Sequence, residues 1–198
     1  MKYQNIWVGL VLIIVLIETA YVLAFKTQIL LPFFDLNGEA NLPTWVTSVL
    51  FALAGTTAIG NYVLKAPGKK FWLILGLCCL FVSLDEVAQI HENISNLTGI
   101  KWIYIYGPVG GAILILLTKY ALNLSTKYPS MKLIMSGVAL GFILSIGLES
   151  LSYFGLTSTW QKVEFMLEEG AEMLGAGMIF IGCLQELSRT TETTEQVS

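Results

Sequence analysis

The stretch that decides the fold is residues 6–25, IWVGLVLIIVLIETAYVLAF, in which Glu18 is the only acidic or basic side chain. A helix needs about 20 mostly apolar residues to cross the hydrocarbon core of a bilayer, because it rises about 1.5 Å per residue. The run is too long for the apolar region of a signal peptide, and no small-x-small cleavage site follows it. We therefore expect a membrane-spanning helix that the mature chain retains.

Five further segments share this length and apolar character, and Pro, Gly or Asn residues separate them. Of the 198 residues, 55% are hydrophobic and 13% are charged, and the mean hydropathy is +0.71. A soluble domain carries about 25% charged residues. The sequence therefore predicts an all-α polytopic membrane bundle, one domain over residues 1–187, followed by a polar, disordered tail over residues 188–198. The six predicted spans are residues 6–25, 44–64, 71–90, 102–122, 133–151 and 163–184.

The distribution of Lys and Arg predicts the orientation, because the cytoplasmic loops of membrane proteins carry the excess of basic residues. With the N-terminus inside, only Lys26, Lys101 and Lys162 lie on the outer side. The inner side then receives Lys2, Lys65, Lys69, Lys70, Lys119, Lys127, Lys132 and Arg189. We expect a cytoplasmic-membrane protein with both termini in the cytoplasm.

Composition also excludes several classes of function. The 11 Lys and Arg residues against 14 Asp and Glu leave no basic surface for nucleic acid. Cys78, Cys79 and Cys183 lie in apolar runs, and their spacing fits neither a disulfide framework nor a Cys-x-x-Cys zinc site. Since the chain has 1 histidine, bis-His haem ligation and the histidine-rich sites of membrane desaturases are excluded.

Small and aromatic residues are expected to pack and anchor the helices. Glycine patterns typical of close helix contact occur in three spans, at Gly107 to Gly111 beside Pro108, at Gly137 and Gly141, and at Gly170, Gly175 and Gly177. Tryptophans near predicted span ends, where this residue anchors helices at the membrane interface, are Trp45, Trp72, Trp102 and Trp160.

The most informative feature is a set of ionisable residues inside the spans, where each costs roughly 2.5–3.5 kcal/mol at the bilayer centre on insertion scales. In the predicted orientation, acids of four helices fall at similar depth in the outer half of the membrane. At about 1.5 Å per residue, Glu18 and Asp85 lie roughly 10 Å below the outer boundary. The set comprises Glu18, Asp85, Glu86, Glu149, Glu164, Glu168, Glu169 and Glu172, with His91 and Glu92 at the outer end of the third span.

Spacing along the third span decides which of its polar residues share a face. On a continuous helix, Asp85 and Glu92 lie within about 20° of each other. His91 does not share the face of Asp85 on an ideal helix. It can join the site only if the helix ends or distorts there, which the sequence from Asn93 to Gly99 favours.

The acids have no basic partner within the spans at that depth. A group of like-charged carboxylates in a low dielectric must take up protons or bind a cation. The four-residue spacing of Glu164, Glu168 and Glu172 places them on one ridge of the last span, although Glu164 could instead cap the start of that helix. The sequence therefore predicts a cation- or proton-binding site near the outer face.

A carboxylate-rich site with one imidazole favours a divalent metal ion, with Fe or Mn ahead of Zn, Ca or Mg. The expected metal ligands are Asp85, Glu92, Glu168, Glu172 and Glu149. The expected catalytic groups are His91, as a ligand or general base, with Glu86 and Glu169. The pattern departs from carboxylate-bridged di-iron bundles, because their Glu-x-x-His motifs are replaced by Glu86-x-x-Gln89 and Glu169-x-x-Glu172.

Several motifs together suggest a family. They are FVSLDE at residues 81–86, IHE at 90–92, Gly107-Pro108, GLE at 147–149, and LEE at 167–169 running on to EMLG at 172–175. In these motifs the chain resembles a functionally uncharacterised family of small bacterial polytopic membrane proteins, some of them labelled as transporters. The resemblance covers most of the third to sixth spans. It implies a bacterial membrane protein whose site contains the acids and the histidine of these motifs, and it implies no reaction.

Three hypotheses on function remain open. The first is a metal-dependent enzyme acting on a lipid or another membrane-soluble substrate. The second is a cation- or proton-coupled transporter or channel that uses the same acids; against it, the acids lie on one side of the membrane and no inverted repeat is visible. The third is a subunit or assembly factor whose acids pair with a partner helix. A sealed inner half of the bundle would count against transport.

Overall fold

The computed structural model describes residues 3–36, 41–125, 128–144, 146–148 and 157–195, and all regular structure within these residues is helical. The helices are α1 (Gln4–Thr27), α2 (Leu31–Phe34), α3 (Leu42–Val63), α4 (Lys69–Ala88), α5 (Ile90–Thr98), α6 (Ile103–Ser125), α7 (Ser130–Val138) and α8 (Ser158–Glu195). A π-helix over Ala139–Leu144 continues α7. The short helices α2 and α5 lie between predicted spans.

Five helical segments are long and apolar enough to cross a membrane. They are α1, α3, α4, α6 and the segment Ser130–Leu148, which contains α7 and the π-helix. These segments confirm the predicted all-α fold and indicate a membrane protein. Local sequence explains where they begin and end. For example, Asn41 accepts a hydrogen bond from the backbone N–H of Thr44 at 3.0 Å, and Pro43 occupies the first turn of α3.

The last helix, α8, lies at the centre of the bundle, where it packs against α1, α3 and α7. Several of its side chains, including Met173, Ala176, Ile179 and Cys183, are fully buried. It is less apolar than the other long helices and is not among the five candidate spans. Two of its acids, Glu164 and Glu186, are nonetheless buried against protein, at 4% and 3% exposed.

The segment from α7 into the π-helix crosses α8 at three glycines. A Cβ atom on Gly175 would lie 2.5 Å from the backbone nitrogen of Gly141 and 2.7 Å from the carbonyl oxygen of Gly137. Because backbone atoms would have to move, no side chain fits there. The predicted close contact at Gly137 and Gly141 is confirmed. The glycines of α6 differ, since a Cβ atom on Gly110 or Gly111 would meet no described atom within 4 Å.

The tryptophans divide into two groups. Trp45 and Trp160 are 58% and 63% exposed, as expected of residues at a membrane interface. Trp72, however, is buried in the core, where its indole N–H donates to the carbonyl oxygen of Pro67 at 2.9 Å. Its predicted role as an interfacial anchor is therefore wrong, because its polar atom has a partner inside the protein.

The predicted disorder of the tail is also wrong for residues 188–195, because α8 continues to Glu195. Residues at and just before the start of α7 contact α8 where this extension begins. Ser130 donates to the buried carboxylate of Glu186 at 3.0 Å, and the Arg189 guanidinium lies 4.7 Å from the centre of the Tyr128 ring. Residues 196–198 lie outside the described residues.

Candidate functional site

The candidate site begins with a break between α4 and α5. The helix α4 ends at Ala88 because Gln89 adopts the left-handed conformation, with φ of 51°, and α5 starts at Ile90. That conformation costs a residue with a Cβ atom roughly 1–2 kcal/mol, and such strain often occurs at functional sites. The break changes the direction of the chain, so that the first turn of α5 faces Asp85.

Asp85 and His91 form a two-point contact across this break. One carboxylate oxygen of Asp85, Oδ1, accepts from the backbone N–H of His91 at 3.0 Å, and Oδ2 lies 2.9 Å from Nδ1 of the ring. When the Asp85 carboxylate is ionised it only accepts hydrogen bonds, so that Nδ1 of His91 then donates and Nε2 is left to exchange protons. The side chains of His91 and Asp85 are 19% and 13% exposed. The pair is therefore shielded but not sealed.

Aromatic residues at the start of α6 complete this site. The hydroxyl of Tyr106 donates to Oδ1 of Asp85 at 3.4 Å. The ring of Trp102 packs edge-on against His91, with centroids 5.3 Å apart, and against Tyr106 at 6.0 Å. Trp102 thus contacts the imidazole in addition to lying near a span end. Tyr106 is not among the site residues predicted from the sequence. It could have been included because its hydroxyl precedes Gly107-Pro108, near the outer end of the predicted fourth span.

A second group of acids lies around Glu86, which is about 100° round α4 from Asp85. The carboxyl group of Glu169 on α8 interacts electrostatically with Glu172 and Glu168 of the same helix, with Glu86 of α4 and with Glu18 of α1. We call these five residues the carboxylate cluster. The structure therefore brings acids of three helices close enough to act on one carboxyl group, that of Glu169.

Glu18 reaches the carboxylate cluster because α8 has a glycine opposite it. A Cβ atom on Gly170 would lie 3.2 Å from Oε1 of Glu18. Both carboxylate oxygens of Glu18 are inaccessible to solvent and have no hydrogen-bond partner among the described residues. A carboxylate in such surroundings requires a proton or a cation.

The remaining predicted site residues lie elsewhere. Glu92 is exposed in the first turn of α5. Because the helix is broken at Gln89, the alignment of Asp85 with Glu92 on one continuous face does not apply. Glu164 is buried, 4% exposed, and is the seventh residue of α8, so the alternative that it caps the start of that helix is wrong. Glu149 lies outside the described residues.

The predicted metal ligands do not form a preassembled site within the part of the chain that the structure describes. There, no group of three or more His, Cys, Asp or Glu side chains is arranged to hold a metal ion. Metal binding therefore stays a prediction.

The opposite end of α8 holds a buried acid that sequence reasoning missed. Glu186 is 3% exposed and is bonded to Ser130. Nearby, the side-chain amide of Asn61 donates to the carbonyl oxygen of Cys183 at 2.9 Å. Fourteen residues, or about 21 Å of helix, separate Glu172 from Glu186. The buried side chains of α8 in that interval are apolar or cysteine.

The structure is a helical bundle in which five helices are able to span a membrane. It also contains an acid–imidazole pair and a carboxylate cluster. These features define the class of the protein, a polytopic membrane protein with an internal polar site. Over residues 5–185 the chain matches DUF8692, a domain of unknown function, and it belongs to that family. No curated protein and no solved structure matched the chain. The predicted membership of an uncharacterised family is confirmed, while the bacterial origin stays a prediction.

Proposed function

We propose that this chain is a six-span membrane enzyme that uses Asp85 and His91 as an acid–base pair on a lipid or another membrane-soluble substrate. The observation that carries the proposal is the two-point contact of Asp85 with His91 at 3.0 and 2.9 Å. A carboxylate that fixes one imidazole nitrogen leaves the other to take up and release protons, which is the arrangement used in general acid–base catalysis.

The pair suits reactions in which a proton is taken from the attacking group and a proton is given to the leaving group. The hydrolysis of a lipid ester is such a reaction. As the oxygen of a water molecule bonds to the ester carbonyl carbon, Nε2 of His91 would accept a proton from that water. Asp85 would stabilise the imidazolium that forms, and the imidazolium would then give a proton to the alcohol oxygen as the bond between that oxygen and the carbonyl carbon breaks. Tyr106, which donates to Asp85, would hold the carboxylate in place.

The packing of α8 supports a site that substrate reaches from one side of the membrane only. The described side chains between the carboxylate cluster and Glu186 include Met173, Ile179 and Cys183, which are fully buried in the core. An apolar, close-packed stretch of this length favours catalysis over transport. The central position of α8 supports its assignment as the sixth span, and the positions of Lys and Arg support cytoplasmic termini in a bacterial membrane.

Turnover of membrane lipids tests the proposed function. The full chain in nanodiscs made from a total bacterial lipid extract would be compared with His91→Gln by mass spectrometry of all lipids. We expect the native chain to consume at least one lipid species and form its product, and His91→Gln to leave the mixture unchanged. Asn96→Ala, at an exposed position of α5, is the matched control and should retain turnover.

Identical lipid profiles for the native chain and His91→Gln would contradict an enzyme of this substrate class. Proton and cation flux into liposomes would then test the transporter hypothesis.

We further propose that a divalent metal ion, Fe or Mn, neutralises the carboxylate cluster. Glu18 supports this, because its two buried oxygens have no hydrogen-bond partner among the described residues. We expect elemental analysis of detergent-purified protein to find about one such ion per chain, lost in the double variant Glu168→Gln/Glu169→Gln. Glu192→Gln, at an exposed position far along α8, should retain it. An absence of metal in native protein would mean that protons neutralise the cluster.

A further inference from the structure

The helix α5 is attached to the bundle without burying any residue. None of its nine residues is buried, and Leu97 is 86% exposed. A residue in the left-handed backbone conformation flanks α5 at each end. These residues are Gln89, with φ of 51°, and Gly99, with φ of 70°. Segments with little burial open at low free-energy cost, and these two residues are the points about which α5 could turn.

In the part of the chain that the structure describes, side chains of α5 bond to α4 and to the start of α6. Toward α4, His91 contacts Asp85, and the amide of Asn93 donates to the carbonyl oxygen of Ala88 at 3.2 Å. Toward α6, the hydroxyl of Ser95 accepts from the backbone N–H of Trp102 at 2.8 Å and donates to the carbonyl oxygen of His91 at 3.0 Å. Ser95 therefore connects the helix that carries the imidazole with the residue whose ring packs against it.

We propose that α5 is a lid over the Asp85–His91 site and that Ser95 is its latch. With the Ser95–Trp102 bond closed, the imidazole is shielded between Asp85 and the Trp102 ring. When that bond opens, α5 turns about Gln89 and Gly99, and His91 becomes accessible at the membrane surface. As a device for admitting substrate, the lid rests on the proposed function; its motion is measurable without any substrate.

Hydrogen exchange of the native chain in nanodiscs tests whether α5 opens independently. We expect the amides of residues 91–96 to exchange at least ten times faster than those of residues 73–80 in α4. Low denaturant concentrations should accelerate exchange in α4 but not in α5, because a local opening exposes little surface. Equal exchange rates in the two helices would overturn the lid.

Chemical labelling of His91 tests the latch, and His91 is a clean reporter because the chain has 1 histidine. We expect Ser95→Ala to speed modification by diethylpyrocarbonate at least fivefold. Thr98→Ala is the matched control, since the Thr98 hydroxyl donates to Ile94 of α5 and accepts from the N–H of Ile100, just after the helix. It should label at the native rate.

Labelling of Ser95→Ala at the native rate would overturn the latch. Independent opening of α5 in a chain that turns over no lipid would support the lid and contradict the proposed function. Lipid turnover without independent opening of α5 would support the proposed function and contradict the lid.

Discussion

Replacing Gly175 with leucine is expected to prevent the bundle from folding. The new side chain would have to displace the backbone of Gly137 and Gly141, because a Cβ atom alone would lie 2.5–2.7 Å from their atoms. Overpacking a core with flexible neighbours costs about 1–3 kcal/mol. Because the atoms in the way here are backbone and not flexible side chains, the loss should exceed that range. Thermal unfolding in detergent, followed by tryptophan fluorescence and size-exclusion chromatography, measures it.

The control for this substitution is Gly9→Leu in α1, where a Cβ atom would meet no described atom within 4 Å. It adds the same side chain to an apolar helix and should leave the unfolding midpoint within a few degrees of the native value. If Gly175→Leu unfolded at the native temperature, α7 and α8 could not cross as closely as the structure shows.

The second large effect is expected at the acid–base pair. General acid–base catalysis contributes about 10²–10⁴-fold to a rate, so His91→Gln should lower kcat for the lipid found by the turnover assay by that factor. Asp85→Asn should cause a similar loss, because an amide that accepts from the His91 backbone N–H cannot stabilise an imidazolium. Steady-state kinetics in nanodiscs measure both.

Two results would separate catalysis from a structural role for these residues. The unfolding midpoints of His91→Gln and Asp85→Asn should stay close to that of the native chain, since each substitution replaces a partly accessible side chain by an uncharged one of similar size. A loss of kcat below tenfold in folded His91→Gln protein would contradict its role as the acid–base group.

Local sequence is enough to predict the long apolar helices and the glycine contact of Gly137 and Gly141 with α8. Apolar runs of about 20 residues give the long helices, and the four-residue spacing of Gly137 and Gly141 gives the crossing with α8. The meeting of acids from different helices also follows from depth alone, as Glu18, Glu86 and Glu169 demonstrate. These features depend on the chain's own periodicity and on the bilayer thickness.

Other features depend on contacts between distant residues and could not be predicted. The left-handed conformation of Gln89 brings His91 to Asp85, yet glutamine has no preference for it, unlike glycine or asparagine. The helix continues into the tail beside contacts between residues far apart in the chain. Ser130 lies 56 residues before its partner Glu186, and Tyr128 packs against Arg189. Neither contact leaves a local pattern in the sequence.

The π-helix over Ala139–Leu144 has a consequence for mutagenesis of the segment Ser130–Leu148. A π-turn holds about one residue more than an α-turn, because its hydrogen bonds join residues five apart. A helical wheel drawn through the predicted span 133–151 with a constant 100° step therefore loses register at this point. In a cysteine or tryptophan scan, the periodicity of accessible positions should shift by about one residue between Val138 and Ile146.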